Sequence, residues 1–145
     1  MSQNYGVQGY QTTPMPGDSS ASEAWALMQA ARRMYDCRDA EDIEDLNEVV
    51  RLNWRLWTIF QADLLGVDCK LPLEIRQNML SLCKFVDERT TKFFSSSDRT
   101  LVDVLVNINR EIATGLYQQS ENKKKTLDDS DAENIPPAGL NNIDV

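Results

Sequence analysis

Histidine is absent from the chain, and glycine and proline are sparse, at 6 and 5 of 145 residues. The first absence removes the His-containing catalytic triads, the helical zinc motifs and the Glu-x-x-His di-iron pattern together. The glycines are scattered, so no loop is built to cradle a phosphate. Cys37, Cys69 and Cys83 form no CxxC pair and are odd in number, which argues against both a disulfide framework and a thiolate metal site. No apolar run approaches the roughly eighteen residues that a membrane span needs. The opening MSQNYGVQGYQ lacks the basic and apolar regions of a secretory signal. Basic residues are a minority, with 15 Lys and Arg against 23 Asp and Glu, and the formal net charge of −8 is the reverse of a nucleic-acid footprint. These absences lead us to expect a cytoplasmic protein that is not an enzyme, needs no cofactor or metal, does not insert into membranes and does not bind nucleic acid directly.

The two ends of the chain are poor in apolar residues. Residues 1–19 hold one charge and the run Pro14-Met15-Pro16-Gly17, and residues 118–145 carry Lys123-Lys124-Lys125, an acidic cluster and Pro136-Pro137. Neither has much apolar surface to offset the entropy of ordering, so both are expected to be disordered around a single helical domain at 20–117. The net charge divides as −1 for residues 1–20, −4 for 21–117 and −3 for the acidic tail.

Within the domain the apolar residues recur at helical spacing. Leu46 to Leu65 is the densest stretch, and at about 100° per residue Leu46, Val49, Val50, Leu52, Leu56, Trp57, Ile59, Phe60 and Leu64 fill one arc of roughly half the circumference. An arc that wide must be covered on more than one side. Ser20-Ala21-Ser22-Glu23 has capping-box spacing and opens an earlier helix with the stripe Ala24, Leu27, Met28, Ala31, Met34 and Tyr35. Acidic residues from Asp39 to Asp45 mark the start of the central helix, and Gly66 suits its C′ position. Pro72 fits the first turn of a third helix, with the stripe Ile75, Met79, Leu82, Cys83, Val86, Thr90 and Phe93. Phe94 to Asp98 reads as a loop, and Thr100-Leu101-Val102-Asp103 as a capping box for a fourth helix. No segment alternates with period two. The expectation is an all-α fold, a small antiparallel bundle of about four helices.

Two polar residues interrupt the apolar arcs. Asn53 falls inside the central arc and Asn109 at the edge of the fourth stripe. A buried amide without partners costs roughly 1–3 kcal/mol, so Asn53 is either a core residue that fixes helix pairing, joined to Asn109, or a polar contact to a bound partner. Glu41, Glu44, Asp45 and Glu48 gather on one face, but a single segment does not complete a hard-cation shell, and we read them as a solvated first turn. Trp25, Trp54 and Phe85 each lie off the stripe of their own helix. Any of them can pack against a neighbour at an angle. If two share a surface, they form an exposed aromatic patch of the kind that marks a binding site. With Arg51 and Arg55 alongside, and Thr58 and Gln61 on the same side, Trp54 has the composition of an interface hot spot. The corresponding mode is helix-in-groove recognition of an amphipathic partner.

Three runs carry a resemblance: LNxRLWxxFQADL from Leu52 to Leu64, SLxxFVDxxT from Ser81 to Thr90 and INRxIxxGL from Ile108 to Leu116. In this order and at these separations they resemble the FlaF family of flagellar biosynthesis regulators of alphaproteobacteria, over roughly residues 24–117. The resemblance implies a cytoplasmic protein of flagellum biogenesis and bacterial motility. It would act on flagellin as a chaperone or adaptor that promotes synthesis and export (secretion), in concert with an FlbT-type regulator of flagellin mRNA. An alternative is post-transcriptional regulation by direct contact with that mRNA, against which the small number of basic residues speaks. The residues expected to meet a partner are Trp25, Arg51, Trp54, Arg55, Thr58, Gln61 and Phe85.

Overall fold

The structure, a computed structural model, describes residues 19–133. Nearly all of the expected disordered N-terminal segment, and the last part of the expected tail, lie outside the described residues. Four helices follow one another: α1 (Ser19–Asp36), α2 (Ile43–Leu65), α3 (Leu73–Ser96) and α4 (Thr100–Glu133). No strand occurs among the described residues. Each helix packs on the ones before and after it, and α4 closes the ring against α1. The result is the expected all-α bundle of antiparallel neighbours, with the core along its axis.

Each stripe supplies one wall of that core. Ala24, Leu27, Ala31 and Met34 come from α1, Leu46, Val50, Trp57 and Leu64 from α2, Cys83, Val86 and Phe93 from α3, and Leu101, Val102, Leu105, Val106 and Ala113 from α4. The alanines on α1 and α4 explain why that pair makes the most extensive contact in the molecule, since small side chains let two helix axes approach. Burial of each larger side chain contributes about 1.5–3 kcal/mol.

The helix ends are set locally. Asp42 caps α2 by accepting from the Glu44 backbone N–H at 2.9 Å. Gly66 ends α2 as expected, with an extended backbone at φ −70° and ψ 150°. Pro72 immediately precedes α3, and its carbonyl accepts from Arg76 N–H at 2.9 Å. Phe94, expected in a loop, belongs to α3, which ends where Ser97 turns left-handed at φ 56° and donates its N–H to Phe93 O at 2.8 Å. The fourth helix is capped from two positions earlier than expected. The Asp98 carboxylate accepts from Thr100 N–H at 3.0 Å and from Thr100 Oγ1 at 2.6 Å, and these bonds hold its pKa below the usual carboxylate value.

The α1–α2 loop is fastened to the start of α4. Arg38 makes a two-pronged contact with Asp103, at 2.9 and 3.2 Å, and Arg99 donates to the carbonyls of Arg38 and Ala40 at 3.0 and 2.7 Å. At the opposite end α4 does not stop near Tyr117, where the domain was expected to end, but runs on to Glu133. Neither glycine nor proline interrupts residues 116–133, and Gln, Glu and Lys favour helix, so local propensity carries the helix on without a packed face. Residues 121–129 are exposed on every side.

Candidate partner-binding surface

At positions i, i+3, i+4 and i+7 of α2, Arg51, Trp54, Arg55 and Thr58 line a shallow open hollow on the side next to α3. Trp54 is half-buried there. Its indole N–H donates to the Asp87 carboxylate at 2.7 Å, and its ring lies 5.9 Å from that of Phe94. Arg51 places its guanidinium 5.6 Å from the centre of the Phe94 ring, and Thr58 Oγ1 donates to Trp54 O at 2.9 Å. Trp54 therefore has a role inside the molecule, holding α2 to α3, while the exposed guanidiniums of Arg51 and Arg55 can meet carboxylates from outside. Gln61 continues this side of α2 and is half-buried.

The other two off-stripe aromatics stand elsewhere. Phe85 is half-buried beneath Arg89, whose guanidinium carbon is 4.7 Å from the ring centre. Asp87 and Phe94 face Trp54, and Phe85 precedes Asp87 by two positions, so it projects about 160° away from them around α3. Trp54 and Phe85 thus share no patch. Trp25 is half-buried on α1.

Asn53 and Asn109 are joined at the centre of the bundle. Asn109 Nδ2 donates to Asn53 Oδ1 at 2.7 Å and to Leu27 O at 3.2 Å, and its Oδ1 accepts from the Trp57 indole N–H at 2.9 Å. The cluster ties α1, α2 and α4 in one register, as buried polar residues do when they select a pairing. Asn53 Nδ2 within the cluster, and Thr90 Oγ1 on α3, are buried without a hydrogen-bond partner. Nearby on α3, burial pushes the Cys83 thiol up to about 11, with help from the Asp87 charge.

Reasoning from single residues passed over one feature, the far edge of the α2 arc. The middle of the arc is buried, yet Leu52 is 43% and Ile59 53% exposed, with Leu56 half-buried between them. Asp63 lies on the same line one turn beyond Ile59 and is close enough to Glu23 of α1 to influence its carboxyl, which burial and, secondarily, Asp63 hold above the usual value. The width of the arc was the signal for this edge, since it exceeds what two flanking helices cover.

Among the described residues no three His, Cys, Asp or Glu side chains gather to hold a metal ion, and no helix is long and apolar enough to cross a membrane. The fold and its surface define a helical-bundle protein with apolar and charged faces on its second helix. The family model of flagellar protein FlaF matches residues 8–116, which takes in α1 to α3 and the first half of α4, and the chain belongs to that family. Comparison with curated proteins and with solved structures finds no match.

Proposed function

We propose that this flagellar protein binds newly made flagellin as an adaptor or chaperone, and promotes flagellin synthesis and export together with an FlbT-type regulator in the cytoplasm. The observation that carries this reading is the FlaF match over residues 8–116. A four-helix bundle whose central helix keeps apolar side chains at its surface supports it, because such a surface is suited to covering an amphipathic helix of an unassembled subunit.

Calorimetry of the purified protein with monomeric flagellin, at two salt concentrations, tests the reading. Binding that weakens little with salt is expected of a mainly apolar contact. Absence of binding by the wild type removes the reading. Tight, steeply salt-dependent binding to flagellin mRNA instead would assign the protein to direct regulation of the message.

A further inference from the structure

We infer that the uncovered edge of α2, Leu52, Leu56 and Ile59, together with the acid pair Glu23 and Asp63 at its end, docks an amphipathic partner helix bearing a lysine or arginine beside its apolar face. Positions 52, 56, 59 and 63 fall within about 60° of one another around α2 and span three turns. Three apolar side chains and one carboxylate thus form a single line, half open to solvent. Helix formation does not require this composition. The other exposed positions of α2 include Glu48, Arg51 and Arg55, and polar residues at 52 and 59 would form the helix equally well.

The chemistry of the line selects its occupant. Asp63 and Glu23 have no ion-pair partner among the described residues, since the ion pairs formed there are those of Arg38. A cation reaching this end while apolar side chains cover Leu52 and Ile59 would relieve both the exposure and the like-charge contact. A second copy packed parallel along this edge through a two-fold axis would set its acid pair against this one, which disfavours it, and a copy packed antiparallel is distinguished by sedimentation. For the natural source of the helix the inference rests on the adaptor reading, which makes it a segment of flagellin; the surface itself is tested without it.

The probe is an 18-residue peptide with leucines at i, i+3, i+4 and i+7 and flanking lysines, compared with the same peptide carrying flanking glutamates, by fluorescence anisotropy against the full chain. The lysine peptide is expected to bind about tenfold tighter or more, and Leu52→Glu and Ile59→Glu each to weaken it about tenfold or more, as loss of an interface anchor does. Asp63→Lys is expected to invert the preference between the peptides. These side chains are substantially exposed, so the variants should melt with the wild type; if the glutamates lower the melting temperature, Leu52→Gln and Ile59→Gln repeat the test without charge. Wild-type protein that binds neither peptide, or both equally, or binding indifferent to Ile59→Gln, overturns the inference. So does concentration-dependent sedimentation abolished by Ile59→Gln, which would give the edge to a second copy. Lysine-peptide binding without flagellin binding would keep this surface and remove the adaptor reading, whereas flagellin binding that Ile59→Gln leaves unchanged would do the reverse.

Discussion

Asn109 and Asn53 are partners of unequal weight. Asn109 satisfies the Trp57 indole, the Asn53 carbonyl and its own amide, whereas Asn53 offers one acceptor and leaves its Nδ2 without a partner. Asn109→Leu strands the indole N–H and the whole Asn53 amide in the core, at about 1–3 kcal/mol for each orphaned group. Asn53→Leu removes an unpartnered donor along with the acceptor, and Asn109 keeps its bonds to Leu27 and Trp57. Urea denaturation should therefore rank Asn109→Leu clearly below Asn53→Leu in stability; the opposite order would mean that the network is not organised around Asn109. Cys83 follows from burial in a similar way. With its thiol at about 11, roughly a thousandth of it is thiolate at pH 8. Cys37 and Cys69 are only half-buried, so a thiol reagent should label those two quickly in native protein and Cys83 only on unfolding. Fast labelling of all three would show that α3 opens locally.

At the scale of elements, α4 is held firmly at its start and hardly at all at its end. Asp98 caps it, and because bonding to Thr100 lowers its folded pKa, the stability it contributes is present above the unfolded carboxylate value and lost as pH falls through the folded one. Asp98→Asn retains an acceptor for the cap but cannot titrate. It should melt close to wild type at neutral pH and lose less stability on acidification, while Asp98→Ala should melt lower at neutral pH; equal acid sensitivity of wild type and Asp98→Asn would remove the linkage. Beyond Ser120, the last buried residue of the helix among those whose side chains are described, residues 121–129 are exposed and touch little. Deleting residues 121–145 should change the urea stability by less than about 0.5 kcal/mol, the range of exposed changes, and a larger loss would show that this stretch covers part of the bundle. These two ends also mark the limits of sequence reasoning. The four stripes were legible because each repeats at 3.6-residue spacing over several turns. The polar end of α4 was not, because a segment without an apolar face is read as disordered even where its residues favour helix. The cap was misplaced because Asp98 and Thr100 both suit an N-cap and only the backbone decides between them.

For the whole molecule, the sequence told more about what must be buried than about which helix buries it. The Asn53–Asn109 pairing could be read because an amide in an apolar arc requires a partner. The contact of Trp54 with Asp87 could not, since a helical wheel gives a side chain's direction on its own helix but not the neighbour waiting there, 33 positions along the chain. The same limit hid the pairing of Glu23 with Asp63, where α1 and α2 meet. Burial and then Asp63 raise the Glu23 pKa above its ordinary 4.5, so the folded protein holds that proton more tightly than the unfolded chain. The sign of the linkage follows. Between the unfolded and folded values stability falls as pH rises, and above the folded value ionised Glu23 is a standing cost, absent below the unfolded value. Glu23→Gln should therefore be more stable than wild type at pH 7, and the gap in urea midpoint should close below about pH 4, where both side chains are neutral. A gap that persists at low pH would trace the gain to packing instead, and a less stable glutamine variant at pH 7 would mean that the carboxylate is satisfied in the folded chain. If the variant is stabilised yet loses discrimination between lysine- and glutamate-flanked peptides, the chain retains an unfavourable acid at this end because a partner's cation meets it there.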